Sequence, residues 1–216
     1  MLSLNSPYLQ VNQQGRLSYG GNQMWSEHPV IRKCGCGPVA ALDTVWYLEN
    51  RGSSEPVPLS MYNVELRSLC RRYFPLVPPF GINGLVFVVG LNRLLRDRKL
   101  PYTAFWMLSG SKLWDRVEAM LWDDLPVILS VGPNFPAFWQ NNRLPFYVRS
   151  ANGSFHRAAA TKGHFVTVTG MDENWVRISS WGRELYFNRS EYEEYTRQNS
   201  SYAFSNLVYL KRTDEK

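Results

Sequence analysis

The sequence changes its periodicity near residue 125, and this change limits the folds that the chain can adopt. Before that point, apolar residues recur at helical spacing over residues 36–50, 61–73, 84–98 and 112–123. After it, β-patterned runs predict strands at 127–131, 145–150, 164–171, 174–180, 184–188 and 206–211, with long loops at 132–144 and 151–162 and one short helix near Ser190. Tight links between strands indicate an antiparallel sheet. This order predicts an α+β fold, with a helical lobe over about 1–125 and a β lobe over about 126–216.

Length and composition favour one domain over residues 1–216. Of the 216 residues, 44% are hydrophobic and 19% are charged, so the chain can bury a core and is not a low-complexity or disordered protein. No apolar run is long enough to span a membrane, and the N-terminal segment lacks the basic and apolar regions of a secretion signal. We therefore expect a cytoplasmic protein. The oligomeric state is not predictable from this pattern.

The net charge is +6, with a cluster of basic residues between Arg67 and Lys99. These residues fall on two predicted helices whose other faces are apolar, and no nucleic-acid-binding motif accompanies them. The pattern therefore predicts a solvated basic face and no nucleic-acid partner.

Cysteine placement points to a reactive thiol. Cys34, Cys36 and Cys70 form an odd number in a chain large enough to fold without disulfides, which favours free thiols in a reducing compartment. Cys36 lies in the segment GCGPVAALD, where Gly37 and Pro38 mark the beginning of a helix. Free backbone N–H groups and the helix dipole stabilise a thiolate at that position. We expect Cys36 to be a nucleophile with a pKa below the ordinary thiol value.

A second motif lies far along the chain. His164 begins a strongly β-patterned run 128 residues after Cys36, and the string ISSWG follows, with Ser179 as its first serine. A cysteine at a helix start, a histidine on the sheet half and a polar residue before Trp-Gly together resemble the papain-like cysteine peptidase superfamily. The segment CGPVAAL is similar to the nucleophile helix of its bacterial bacteriocin-processing (double-glycine leader) peptidase branch.

The resemblance implies a papain-like fold with the site between the two lobes, and a thiol protease or amidase that cleaves a peptide or protein substrate through a thioester. It implies no metal and no other cofactor. Cys36 and His164 would form the catalytic pair, Ser179 would take the place of the asparagine that orients the imidazole, and Gln23 would be the oxyanion donor. The expected substrate-binding residues are aromatic: Trp25, Trp139 and Trp181.

Two departures from the family pattern leave a second function open. A serine at position 179 brings no charge to the imidazole, and Gln23 lies thirteen residues before the nucleophile, whereas the family's glutamine lies about six residues before it. The alternative is a catalytically inactive papain-like fold that acts as a peptide-binding or interaction module. Ser180 competes with Ser179 for the imidazole, because a register shift of one residue decides which hydroxyl faces it.

A zinc site is a third hypothesis. Its candidate ligands are Cys34, Cys36, His156 and His164. Their spacing lacks the paired two-residue gaps that are typical of structural zinc sites. We expect His156 to be exposed in a loop rather than to bind a ligand.

Overall fold

A computed structural model describes residues 1–213 and has the mixed α+β architecture that the sequence predicts. Its helices are α1 (Pro29–Cys34), α2 (Cys36–Glu49), α3 (Leu59–Arg72), α4 (Gly84–Asp97), α5 (Leu113–Trp122) and α6 (Arg189–Asn199), with a 3-10 turn at Gln23–Trp25. Its strands are β1 (Leu2–Ser3), β2 (Val11–Gln13), β3 (Arg16–Leu17), β4 (Val57–Pro58), β5 (Tyr102–Trp106), β6 (Val127–Val131), β7 (Leu144–Arg149), β8 (Phe155–Thr161), β9 (His164–Met171), β10 (Trp175–Ser180), β11 (Arg183–Asn188) and β12 (Leu207–Arg212). Within residues 1–213, no helix is both long and apolar enough to cross a membrane.

The main sheet has nine strands in the order β5-β12-β6-β9-β10-β11-β7-β8, and β1 pairs with the end of β9. Its pairings are antiparallel. β9 is buried along its whole length, because it has neighbours on both sides and α2 packs against it. A small sheet of order β3-β2-β4 lies apart from the main one.

The main sheet contains strands from both sides of residue 125, where the periodicity of the sequence changes. β5 comes from the first half of the chain and forms an edge of the main sheet beside β12. Its sequence, YTAFW, is rich in aromatic and β-branched residues that fit a strand. The main sheet therefore includes strands from the part of the chain that the sequence predicts to be mainly helical.

The prediction of a long loop over 151–162 is wrong. Residues Phe155–Thr161 form β8, which pairs with β7 at the edge of the sheet. The three consecutive alanines and the polar residues of this segment have low strand propensity, so that pairing with β7 decides its conformation. His156 lies on this edge strand and is exposed, as expected.

An aromatic stack holds the beginning of β9 against the helices. The Phe87 ring of α4 lies 5.3 Å from the Phe74 ring and 5.0 Å from the Phe165 ring. Phe87 and Phe165 also lie against Gly37 in the first turn of α2. This packing brings the start of a strand next to the start of a helix, and the predicted nucleophile and histidine occupy these two ends.

Candidate functional site

A narrow cleft lies between the first two turns of α2 and the adjacent ends of β9 and β10. Its volume is ≈ 10 Å³, about the space of one water molecule. The lining residues include Cys36, His164, Gln23 and Ser179, so the cleft contains all four predicted catalytic residues. Residues from four separate segments of the chain therefore meet at one place.

Cys36 is the first residue of α2, and Gly35 makes that position possible. A Cβ atom at Gly35 would lie 2.5 Å from the carbonyl oxygen of Ile31, so only glycine permits the close turn between α1 and α2. Burial raises the pKa of the Cys36 thiol, and the backbone N–H groups of Phe165, Gly37 and Cys36 oppose this by stabilising the thiolate.

His164 is 7% exposed and is held on two sides. Its Nε2 atom lies 2.8 Å from the Ser180 hydroxyl oxygen. The Trp181 ring stacks on the imidazole with ring centres 4.7 Å apart. Because Nε2 is engaged by Ser180, Nδ1 is the ring nitrogen left for proton exchange.

Ser180, rather than Ser179, is the hydrogen-bond partner of the imidazole, so the prediction for Ser179 is wrong. Ser179 pairs with Thr167 of β9, and its hydroxyl donates to the carbonyl oxygen of Tyr19 at 3.0 Å. Because side chains alternate across a strand, the next residue faces the opposite side and meets His164. The register between β9 and β10 decides this assignment.

A two-residue turn brings Trp181 over the imidazole. Trp181 and Gly182 connect β10 to β11 with φ angles of 54° and 71°. Two consecutive positive φ angles are typical of the type I′ turn, whose twist matches that of a hairpin. A left-handed conformation is uncommon for tryptophan, and such strain concentrates at functional sites.

Gln23 lies in the 3-10 turn at the rim of the cleft. Its side-chain amide donates to the carbonyl oxygen of Arg32 at 3.2 Å, which fixes the amide group beside α1. A carboxamide has two N–H donors, so one hydrogen bond to Arg32 leaves the other donor for a ligand. The unusual spacing from Cys36 is accommodated because α1 lies between Gln23 and Cys36 in sequence.

No family model matches the chain, and no curated protein matches it.

Of the three predicted substrate-binding tryptophans, only Trp181 lines the cleft. Trp25 packs edge-to-face on Tyr62 with ring centres 6.2 Å apart and lies against Gly182. Trp25 therefore packs against the β10–β11 turn and does not line the cleft. Trp139 is 83% exposed in the segment that precedes β7, and it does not line the cleft.

The four residues of the zinc hypothesis do not form a cluster. His156 lies on the edge strand β8, where its Nε2 atom is 3.0 Å from the Ser154 hydroxyl, whereas His164 begins the central strand β9. Among residues 1–213, no three His, Cys, Asp or Glu side chains are placed to hold a metal ion. All three cysteines are free thiols.

Burial keeps the predicted catalytic pair neutral in the closed cleft. It raises the pKa of the Cys36 thiol, although the surrounding N–H groups oppose the effect. It also lowers the pKa of His164 to about 3. The expectation of a depressed thiol pKa is therefore wrong for this state, because the loss of water outweighs the N–H groups at the helix terminus.

Asp43 was not among the residues predicted from the sequence, and it is the only carboxylate that lines the cleft among residues 1–213. Asp43 is 1% exposed and lies seven residues after Cys36, which places both on the same face of α2. A carboxylate on the buried, otherwise apolar stripe of a helix was the available signal.

We expect Ser180→Ala to reduce the turnover of a peptide substrate about tenfold. The variant removes the 2.8 Å contact that fixes the imidazole, and a lost hydrogen bond of about 1.4 kcal/mol corresponds to a factor of ten. Thr44→Val is the matched control, since Thr44 is buried on α2 and its hydroxyl has no hydrogen-bond partner within residues 1–213. Steady-state kinetics would contradict the assignment if Thr44→Val and Ser180→Ala lost the same activity.

Proposed function

We propose that this chain is a papain-like cysteine hydrolase that cleaves an amide bond in a peptide or protein substrate. One observation carries the proposal: Cys36 at a helix N-terminus and His164 with an engaged Nε2 line the same cleft, although 128 residues separate them. Gln23 at the rim adds a side-chain amide donor. Nucleophile, base and oxyanion donor are the three parts that acyl transfer needs.

In the proposed reaction, Nδ1 of His164 takes the thiol proton as the Cys36 sulfur attacks the substrate carbonyl carbon. The backbone N–H of Cys36 and the side-chain amide of Gln23 donate to the oxyanion. The imidazolium then gives its proton to the leaving amine as the C–N bond breaks, which leaves a thioester on Cys36. Water, deprotonated by His164, attacks the thioester and releases the acid and the free thiol.

The neutral state of the pair shapes this mechanism. Because burial raises the thiol pKa and lowers that of the imidazole, the proton moves during the attack and is not transferred beforehand. A cleft with the volume of one water molecule is too small for a peptide, so the residues around the partly exposed Cys36 must move when substrate binds. Substrate dipoles in the widened cleft bring the two pKa values closer together, which makes proton transfer during the attack easier.

The same observations favour one alternative, a catalytically inactive papain-like module that binds peptides. A neutral pair in a closed cleft and a serine beside the imidazole are compatible with a site that no longer performs acyl transfer. The two functions share the fold and the cleft, and they differ in the chemistry of Cys36.

A peptide vinyl sulfone library tests the proposal, because these electrophiles trap the nucleophile of a cysteine peptidase. A hydrolase is expected to bind one probe per chain, at Cys36, as measured by intact mass and peptide mapping. Cys34→Ser is the matched control: Cys34 is two residues away and buried, so this variant should label at the wild-type rate.

Labelling must be accompanied by turnover of an unmodified peptide library. Peptide binding without cleavage, together with labelling no faster than that of a free cysteine, would support the inactive module. Labelling of Cys34 or Cys70 in place of Cys36 would overturn the assignment of the nucleophile.

A further inference from the structure

The loop that carries Gln23 is attached to α2 through one buried carboxylate. Asp43 accepts hydrogen bonds from the backbone N–H of Gly21 at 2.9 Å and from the Tyr62 hydroxyl at 2.7 Å. The Tyr8 hydroxyl donates to the same carboxylate at 3.4 Å. Gly21 precedes Gln23 by two residues, so the carboxylate fixes the backbone that leads into the oxyanion donor.

The same loop is attached to the turn that holds the imidazole. The Gly182 N–H donates to the Gly21 carbonyl at 2.8 Å, and the Tyr19 N–H donates to the Gly182 carbonyl at 3.1 Å. The side-chain amide of Asn22 donates to the Trp181 carbonyl at 3.1 Å. A Cβ atom at Gly20 would overlap both Asp43 and Ser179, so the backbone passes directly between them.

We propose that Asp43 is a positioning residue that holds the loop Tyr19–Gln23, and with it the oxyanion donor Gln23, against the nucleophile helix. The inference rests on the proposed hydrolase function. Three donors converge on one carboxylate, and no other Asp or Glu of the described part of the chain lines the cleft. Asp43 does not reach the substrate in this role; it acts through Gly21 and Gln23.

The energetic cost of Asp43 supports a functional role. Burial raises its pKa to about 6, although hydrogen bonds from Gly21, Tyr62, Tyr8 and Ser179 oppose this. The folded protein therefore holds this proton more tightly than the unfolded chain, and stability falls as pH rises from about 4 to 6. Ionised Asp43 opposes folding at neutral pH, and groups that are retained despite such a cost are typical of active sites.

The tyrosines that face Asp43 keep the same charge over the pH range in which Asp43 titrates. Tyr62 comes from α3 and Tyr8 from the N-terminal segment, with Tyr19 behind Tyr8. The pKa values of all three tyrosines are raised above 10, so these residues stay neutral while Asp43 titrates. Cys36 and His164 line the same cleft, and burial, the main cause of their pKa shifts, is the same in the wild type and in Asp43→Asn.

Asp43→Asn tests the proposal, because asparagine keeps the shape and removes the charge. At pH 7.5 we expect kcat for a cleaved peptide to fall about tenfold and KM to change less than twofold. The rate of Cys36 alkylation by iodoacetamide should stay within twofold of wild type, since that reaction forms no oxyanion. As pH falls below 6, the wild-type kcat should approach that of the variant, because protonated aspartic acid resembles asparagine.

Two further measurements separate positioning from a structural role. The melting temperature of Asp43→Asn at pH 7.5 should equal or exceed that of wild type, whereas a merely structural residue would lower it when replaced. The double variant Asp43→Asn with Gln23→Ala should be no slower than Gln23→Ala alone, because both changes act on the same oxyanion donor.

Thr44→Val is the matched control for Asp43→Asn. Thr44 is also buried on α2, and its hydroxyl has no hydrogen-bond partner within residues 1–213.

The backbone amide of Gly21 provides a readout without turnover. In wild type its proton resonance should titrate with the carboxylate, near pH 6, and in Asp43→Asn this step should be absent. A Gly21 amide that does not titrate, or an Asp43→Asn variant with wild-type kcat, would overturn the role of Asp43 alone. No Cys36-dependent hydrolysis by wild type would overturn the proposed function and, with it, the catalytic part of this inference.

Discussion

Cys36→Ser is expected to lower kcat/KM for peptide hydrolysis by at least about 10³-fold, since removing a nucleophile leaves only binding and oxyanion stabilisation. A serine hydroxyl holds its proton far more tightly than a thiol does. The imidazole that must take this proton is a weak base, because burial lowers the pKa of His164 to about 3. Steady-state kinetics on a peptide cleaved by wild type measures the effect.

Cys34→Ser and Cys70→Ser are the controls for this experiment. Cys34 is buried at the end of α1, and Cys70 lies on α3, so neither thiol lines the cleft. Both variants should retain kcat/KM within about twofold. Turnover by Cys36→Ser at a tenth or more of the wild-type rate would mean that another group is the nucleophile.

His164→Gln is expected to lower kcat about 10³-fold and, at the same time, to stabilise the protein in acid. Loss of kcat follows because glutamine can neither take the thiol proton nor protonate the leaving amine, and general acid–base catalysis contributes about 10²- to 10⁴-fold. The glutamine amide can form a hydrogen bond with the Ser180 hydroxyl, which lies 2.8 Å from Nε2 in the wild type.

The acid effect follows from the direction of the pKa shift. The folded-state pKa of His164, about 3, lies below the ordinary value of 6.5, so the unfolded chain binds this proton more readily. Wild-type stability therefore falls as pH decreases from 6.5 toward 3, by up to about 5 kcal/mol, because one pKa unit corresponds to about 1.4 kcal/mol. His164→Gln lacks this dependence.

Urea unfolding at pH 7.5 and pH 4.5 measures the difference between His164→Gln and wild type. The free energy of unfolding of the variant, relative to wild type, should be higher at pH 4.5 than at pH 7.5. His156→Gln is the control for the substitution itself, because His156 is exposed on β8 and does not line the cleft. If the free energy of unfolding changed equally between pH 7.5 and pH 4.5 in wild type and in His164→Gln, a buried, neutral imidazole would be contradicted.

Several elements follow from the sequence directly. β6 and β9 have the predicted bounds of 127–131 and 164–171, and α2 begins at the predicted residue, Cys36. β6 and β9 are buried at every position, and short apolar runs rich in β-branched residues are typical of strands inside a sheet. The prediction failed at 155–161, where an alanine-rich segment becomes a strand only because β7 provides a partner.

The residues of the site also fall into two groups: those that the sequence predicts and those that only the tertiary structure identifies. From the sequence alone, Cys36 is a thiol at a helix N-terminus and His164 begins a strand, because both properties depend on nearby residues. The assignment of Ser180, the attachment of Gln23 to α1 and the role of Asp43 depend on the register of β10 and on which segments meet. The protonation states required the tertiary structure too. A pKa reports the water and charge around a group, and only the packed cleft determines how much water reaches Cys36 and His164.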